Sequence, residues 1–251
     1  MRLIAILFLL SATLAEAGGR RVRHLNARDA GAVLVLDSRY ISGLSDTDPV
    51  STWSDRSGNG NDATYQNTAP TYKIAIQGGQ PVVRLSANSG MSGSYNYTIG
   101  SELVIACFKS STTGYYSRYF SHSDAGLDYD SGGYIPILKH NGSGDTLFGF
   151  FGGNYVSPLS YSNTFAIVAA TTNGSTTTNF LNGTAGETAS FSVSRTMTRY
   201  GFGVTNLSNF PELQRADGDI CTIIAFASAA SDPIRRRIEQ FAAYSFKIAC
   251  Q

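Results

Sequence analysis

Two aspartates at alternate positions are the clearest candidates for chemistry in this sequence. Asp128 and Asp130 flank Tyr129, and Asp124 lies shortly before them. Alternate residues of a strand point to one face, where two carboxylates can act as nucleophile and acid/base on a glycosidic bond. The neighbouring Gly and Ser residues favour a solvated turn, so a catalytic dyad is the weaker interpretation.

The same carboxylates are candidate calcium ligands. Ca²⁺ takes about six to eight oxygens, and Asp124, Asp128 and Asp130 with nearby carbonyls would supply several of them. A second set of side-chain oxygens lies at Asp55, Asn59, Asn61 and Asp62. Neither set matches an EF-hand, and turn formation by Asp and Asn accounts for both. Ca²⁺ is the one candidate cofactor, and calcium binding by these residues stays an open alternative to turn formation.

Tyrosines in polar contexts are the candidate ligand-binding residues. A sugar presents an apolar face and a polar edge, so its site needs exposed aromatic rings beside hydrogen-bonding groups. The tyrosines in Gly, Ser and Asn contexts are Tyr95, Tyr97, Tyr115, Tyr116, Tyr119, Tyr129, Tyr134, Tyr155 and Tyr161. Strand alternation separates Tyr116 from Tyr115 and Tyr119 but does not show which face is outside.

The composition is typical of short strands joined by turns. Gly is abundant, at 26 of 251 residues, and charged residues make up only 15%. Such a chain favours an all-β sandwich over a helical bundle. The formal net charge of +1 gives no global field toward nucleic acid or anionic membranes, so neither is expected as a partner.

Apolar runs and one amphipathic segment place the elements. Ala32–Leu36, Leu103–Phe108 and Asp219–Phe226 read as buried strands, and Asn182-Gly183 predicts a hairpin. A helix is predicted after Ser231. Its apolar face carries Ile234, Ile238, Phe241 and Phe246. The polar residues are expected to lie largely on the opposite face: Arg235, Arg236, Arg237, Glu239 and Gln240.

The segment Trp53–Ala63 predicts an ordered turn. Gly and Asn tolerate a positive φ, and Asp and Asn side chains bond to nearby backbone. The residues predicted to build the turn are Trp53, Asp55, Gly58, Asn59, Gly60, Asn61 and Asp62. Trp53 is interpreted as an anchor in the core and not as a sugar platform.

This turn also carries a family resemblance. The pattern W-x-D-x-S-G-N-G-N-D-A, followed by Pro70-Thr71-Tyr72 and Gly79–Leu85, resembles the N-terminal part of laminin-G-like (concanavalin A-like lectin/glucanase) domains. The apolar strand and Arg-rich helix at residues 218–248 are similar to the end of the same domains. The resemblance implies an all-β, two-sheet antiparallel jelly-roll sandwich with one short C-terminal helix. Such domains occur in secreted bacterial proteins and in virus and phage structural proteins.

The resemblance also bears on function. Glucanase relatives carry an E-x-D-x-E strand, whereas the Glu residues of this chain are scattered. We therefore expect a non-enzymatic, lectin-like module that binds a glycan or cell-surface ligand. The alternative is a structural protein that assembles with copies of itself, such as a virion decoration protein or an extracellular fibre subunit. A polysaccharide-cleaving enzyme is the least favoured reading.

The N-terminus predicts export. Met1-Arg2, the apolar run to Leu14 and Ala15-Glu16-Ala17 match a signal peptide over residues 1–17. An arm over 18–30 and a sandwich domain over 31–251 would follow, with no membrane span after cleavage. A secreted, extracellular or virion-surface protein is expected.

Three cysteines allow at most one intrachain disulfide. Cys107 lies in an apolar run and is expected to be a buried hydrophobe. Cys221 and Cys250 are the candidate pair, since a bridge between them would tie the C-terminal tail to the sheet. The odd count leaves one thiol over.

Overall fold

The structure is a computed structural model. It describes residues 31–86, 89–99, 101–111, 116–123, 134–141, 145–151, 154–155, 159–160, 164–190, 195–203, 216–229 and 231–250. The predicted signal peptide and arm lie outside these residues and stay predictions.

The described chain is built from strands, with one α-helix near the C-terminus. In chain order the strands are β1 (Leu34–Asp37), β2 (Thr52–Trp53), β3 (Ala63–Asn67), β4 (Thr71–Gln77), β5 (Gln80–Leu85), β6 (Ser89–Ile99), β7 (Glu102–Ser110), β8 (Tyr116–Ser123), β9 (Tyr134–Asn141), β10 (Asp145–Phe151), β11 (Asn154–Tyr155), β12 (Leu159–Ser160), β13 (Ala166–Thr172), β14 (Thr176–Leu181), β15 (Thr184–Ser190), β16 (Arg195–Gly203) and β17 (Gly218–Phe226). A 3-10 turn spans Ser38–Tyr40, and the helix α1 spans Asp232–Phe246.

The strands form two antiparallel sheets. The central sheet has the order β15-β14-β13-β7-β17-β5-β4, and β1 also pairs with β17. The outer sheet has the order β11-β10-β9-β8-β16-β6-β3-β2, and β12 also pairs with β10. The all-β sandwich with a C-terminal helix is therefore confirmed.

The central sheet is covered on both faces. Along β7, Val104 and Phe108 pack with residues of the outer sheet, whereas Ile105 and Cys107 pack with the buried face of α1. Each fully buried aliphatic side chain contributes about 1.5–3 kcal/mol. Burial on both sides explains why β7 and β17 are continuous apolar runs in the sequence.

The β14–β15 hairpin has the predicted turn. Asn182 and Gly183 have φ values of 49° and 86°. Two consecutive positive φ values are the type I′ geometry, which matches the twist of the flanking strands. Asn tolerates this conformation and Gly adopts it without a steric cost, so this dipeptide determines the local register.

The helix begins after Ser231, as predicted, but one prediction about its polar face is wrong. Arg235 and Glu239 are each only 1% exposed. Arg235 Nη1 lies 2.6 Å from Glu239 Oε2, and the guanidinium carbon lies 3.6 Å from the centre of the Phe180 ring. The two charges neutralise each other under the helix, which allows both to be buried against β14.

Within the described residues, no helix combines the length and the apolar character needed to cross a membrane.

Candidate functional site

The Trp53–Ala63 segment is a closed turn organised by one carboxylate. Asp55 Oδ1 accepts hydrogen bonds from the backbone N–H of Val35 (2.9 Å) and of Ser57 (2.8 Å). Asp55 Oδ2 accepts from Ser57 Oγ (2.6 Å) and from the Asn61 N–H (3.0 Å). Four donors therefore converge on a single side chain, and one of them belongs to the central sheet.

The rest of the turn connects the two sheets. Asn61 Nδ2 donates to the Val33 carbonyl at 2.8 Å, and Asp62 Oδ1 accepts from the Asp55 N–H at 2.8 Å. Trp53 is 1% exposed and meets the Phe202 ring edge-on at 5.9 Å. The remaining predicted turn residues take part as well. They are Gly58 and Gly60, with positive φ, and Asn59, which donates to the carbonyls of Ala32 and Val33 just before β1.

This turn brings Arg56 to a groove on the helix side of the central sheet. The groove, called the helix groove below, has a volume of about 1000 Å³ and lies between the 3-10 turn and the C-terminal end of α1. Its lining residues are Val35, Asp37, Arg39, Tyr40, Arg56, Gln80, Ile224, Phe241, Ala243, Tyr244, Ser245, Lys247 and Ile248.

Two exposed tyrosines line the helix groove. Tyr40, the last residue of the 3-10 turn, is 55% exposed, and Tyr244 on α1 is 79% exposed. Neither tyrosine is among the residues predicted from the sequence to bind a ligand. Gln80 and Ser245 line the same groove, so aromatic surface and polar groups occur in one site, as the binding of a sugar ring requires.

The groove holds an internal ion pair. Arg39 Nε lies 2.9 Å and 3.2 Å from the two carboxylate oxygens of Asp37. Burial alone would lower the pKa of Arg39, but the hydrogen bonds and charge of Asp37 outweigh it, and the pKa is raised. The guanidinium also lies 5.2 Å from the centre of the Phe246 ring. Arg39 is therefore fixed in place and its charge is compensated.

Two further cations line the groove without such compensation. Arg56 and Lys247 are exposed, and neither makes an ion pair with any residue that the structure describes. The Arg56 guanidinium lies 5.0 Å from the centre of the Tyr40 ring. Lys247 ends α1 with a φ of 51°. Both charges are available to a ligand.

The C-terminal end of α1 is held by the hairpin between β4 and β5. Gln77 Nε2 donates to the Phe246 carbonyl at 2.9 Å. A Cβ on Gly78 would lie 2.8 Å from the same carbonyl oxygen, so only glycine allows the hairpin to approach so closely. This contact fixes the position of Lys247 at the rim of the groove.

Two of the predicted sugar-binding tyrosines are in the core, and the prediction is wrong for both. Tyr95 is 6% exposed and lies against Tyr200, with ring centres 5.1 Å apart. Tyr119 is fully buried, stacks on Phe108 at 3.9 Å and donates its hydroxyl to a backbone carbonyl. Their strand faces point into the sandwich, where no ligand has access.

The other predicted residues are only partly covered by the structure. Four tyrosines have their backbone in the outer sheet, while their side chains fall outside the described residues: Tyr97, Tyr116, Tyr134 and Tyr155. Several predicted residues lie wholly outside: Tyr115, Tyr129, Tyr161, Asp124, Asp128 and Asp130. Their roles stay predictions. Among the residues that are described, no three His, Cys, Asp or Glu side chains are placed to hold a metal ion.

The cysteines are arranged differently from the expectation. All three lie in the described part of the chain, and no disulfide joins Cys221 to Cys250. Cys221 is a buried residue at a bulge of β17, opposite β7, and its thiol interacts with that of Cys107. Burial, followed by this hydrogen bond, raises the pKa of the Cys221 thiol. The predicted disulfide between Cys221 and the C-terminal Cys250 is therefore absent, and Cys221 instead contacts Cys107 of the neighbouring strand β7.

A second polar pair lies inside the sandwich. His122 Nε2 is 2.6 Å from Glu102 Oε1, and both side chains are almost fully buried. Burial lowers the pKa of His122 well below its ordinary value. The His122 ring is surrounded by aromatic residues, including Phe120 at 4.8 Å and Tyr95 at 5.6 Å. No pattern in the sequence indicates this contact between the side chains of β7 and β8.

No family model and no curated protein matches the sequence. Solved structures match in fold. A mutant Trypanosoma rangeli sialidase with trans-sialidase activity is 13% identical, has a TM-score of 0.55, and is covered over 34% of its length by 87% of this chain. A GH54 α-L-arabinofuranosidase is 14% identical, with a TM-score of 0.57, and is covered over 61% by 88% of this chain.

A third match is a separate domain. Domain 4 of an extracellular GH43 arabinanase from Geobacillus stearothermophilus, solved in complex with arabinotriose, is 10% identical with a TM-score of 0.52. This chain covers 100% of that domain with 79% of its own length. At these identities the likeness shows the fold. A β-sandwich is supported, and the laminin-G-like resemblance is not confirmed beyond that.

These matches correct the expectation that the chain is not an enzyme. The expectation came from the missing E-x-D-x-E strand. The same sandwich occurs within the sialidase and arabinofuranosidase chains, although this chain spans only about a third and three fifths of their lengths. Absence of that strand therefore does not separate this fold from glycosidases.

Proposed function

We propose that this protein binds a glycan in the helix groove. The observation that carries the proposal is the pair of exposed tyrosines, Tyr40 and Tyr244, at a groove of about 1000 Å³. Sugar rings pack their C–H faces on such rings, and the polar groups beside them orient the hydroxyls. The arabinanase domain, of similar size and bound to arabinotriose, supports a carbohydrate ligand for a sandwich of this kind.

The groove is suited to binding because its walls are held before any ligand arrives. Arg39 is fixed by Asp37, and Arg56 belongs to the turn that Asp55 organises. Side chains that are already ordered lose less conformational entropy on binding. We propose that the protein works outside the cell, as the predicted signal peptide suggests, where such ligands are displayed.

The proposal is tested by glycan-array binding followed by calorimetry. Tyr40→Ala and Tyr244→Ala are each expected to weaken binding of the best array ligand by about tenfold, because each removes an aromatic platform. Tyr65→Ala is the matched control, since Tyr65 is 47% exposed on β3 and does not line the groove. Unchanged binding in both groove variants, or no ligand on a broad array, would overturn the proposal.

A further inference from the structure

We infer that the helix groove selects sugars that carry a negative charge, with Arg56 as the residue that contacts the acidic group. This inference rests on the proposed function and narrows its ligand class. The shared chemistry is an anionic substituent on the sugar ring, either a carboxylate or a sulfate ester.

The charges that line the groove are the first argument. Three of the lining residues are cations, Arg39, Arg56 and Lys247, and Asp37 is the one carboxylate among them. Asp37 forms an ion pair with Arg39, so the positive charges of Arg56 and Lys247 are left without a compensating carboxylate in the groove lining. The whole chain carries a formal charge of only +1. Positive charge is therefore concentrated at this groove relative to the protein as a whole.

The partial charge of α1 opposes this field but does not cancel it. A helix C-terminus carries the equivalent of about half a negative charge. Lys247 lies at that terminus and offsets it. The remaining positive charge still attracts an anion, most strongly near Arg56, which belongs to the Trp53–Ala63 turn and not to the helix.

The geometry of Arg56 is the second argument. Its guanidinium lies over the Tyr40 ring, 5.0 Å from the centre, while its backbone N–H donates to the Val35 carbonyl at 2.8 Å. A sugar that packs beside Tyr40 therefore places a ring substituent within reach of the guanidinium. A planar guanidinium binds a carboxylate or sulfate through two parallel hydrogen bonds, which a neutral hydroxyl cannot reproduce.

The test compares matched neutral and acidic oligosaccharides by calorimetry. The probes are a galactose trisaccharide, a galacturonic acid trisaccharide and a sulfated galactose trisaccharide. We expect at least one acidic probe to bind about tenfold more tightly than the neutral probe at low salt, and the preference to shrink as salt is added. The acidic probe that binds more tightly shows whether the groove prefers a carboxylate or a sulfate group.

Substitutions then assign the residues. Arg56→Gln is expected to abolish the preference for the acidic probe, and Lys247→Gln is expected to reduce that preference. Arg237→Gln is the matched control, because Arg237 is exposed on α1 and does not line the groove. A preference that survives Arg56→Gln, or one that Arg237→Gln reduces equally, would overturn the inference.

The two proposals fail in different ways. Equal binding of neutral and acidic probes, lost together in Tyr244→Ala, would refute the charge selection and keep the glycan site. If the unmodified protein binds no oligosaccharide, both the charge selection and the glycan site are refuted. A single-stranded oligonucleotide that competes more strongly than any acidic sugar would also overturn the inference, because the groove would then bind phosphate without sugar selectivity.

Discussion

The guanidinium carbon of Arg56 lies 5.0 Å from the centre of the Tyr40 ring, and that of Arg39 lies 5.7 Å from the same centre. Two cations from different segments of the chain therefore lie close to the Tyr40 ring. One cation is compensated by Asp37 and the other makes no ion pair within the described residues. The same ring serves as a wall of the groove and as a support for a charged side chain.

The first prediction concerns Asp37. Asp37→Asn leaves the half-buried Arg39 guanidinium without its carboxylate and is expected to lower the free energy of unfolding by about 2–3 kcal/mol. Urea denaturation measures this. The control is Asp46→Asn, whose partner Lys73 forms a more exposed pair and whose loss is expected to leave the midpoint unchanged. Equal effects of the two substitutions would contradict the importance of burial.

The second prediction concerns the buried pair under α1. Arg235→Met leaves the Glu239 carboxylate buried and unpaired, which is expected to cost about 3–5 kcal/mol at pH 7. The double variant Arg235→Met, Glu239→Leu is expected to recover most of that loss, because no buried charge remains. Thermal or urea unfolding of both proteins gives the comparison. A double variant as unstable as the single one would contradict this explanation.

The pH dependence of the same variant provides a check. Burial raises the pKa of Glu239, and Arg235 opposes that rise. A group with a raised pKa contributes stability at low pH that is lost as pH increases through the folded-state pKa. The deficit of Arg235→Met relative to the wild type is therefore expected to shrink as pH falls toward 4.5, the ordinary value.

The third prediction concerns His122. Its pKa in the folded protein is well below 6.5 because the ring is desolvated. The unfolded chain therefore binds the proton more readily, so stability is complete above pH 6.5 and decreases as pH falls below it. His122→Gln is expected to flatten this part of the stability curve. Unfolding midpoints measured from pH 7.5 to 5 would show it, and an unchanged slope would contradict the assignment.

The fourth prediction concerns the turn. Asp55→Asn keeps one acceptor and replaces the other with a donor that faces Ser57 Oγ and the Asn61 N–H. We expect a loss of about 2 kcal/mol or more in unfolding free energy, since hydrogen bonds to charged groups contribute about 1.5–3 kcal/mol each. Ser54→Ala, an exposed neighbour, is the control. Ligand binding is expected to weaken as well, because Arg56 loses its support.

The strands β1, β7 and β17 of the central sheet and the anchoring role of Trp53 could be predicted from the sequence. β7 and β17 are apolar on both faces, so each can be recognised as a buried strand from its own residues, without knowing which strands lie beside it. The outer sheet is different. β6 is rich in Ser, Gly, Tyr and Asn, and its pairing with β16 changes register between Met197 and Arg199. A bulge breaks the two-residue alternation, which removes the signal that identifies a strand.

The helix groove could not be predicted because its parts are distant in sequence. Tyr40 and Tyr244 come from opposite ends of the described chain, and Tyr244 lies in the predicted helix rather than in a Gly- or Ser-rich loop. The buried position of Arg235 and Glu239 was also hidden, because charged residues off the apolar stripe are normally exposed. Their spacing of four residues was the available signal, since it allows direct pairing on a helix.

The hydrogen bond between Gln77 and Phe246 joins residues that are 169 positions apart. A groove closed by such a long-range contact exists only after the last helix has docked, so a chain interrupted before α1 has no binding site whatever the state of its sheets. Ligand binding would in turn oppose detachment of the helix. Slower amide exchange along α1 is thus the dynamic signature of an occupied groove, and saturation with ligand should protect the C-terminal segment from proteases.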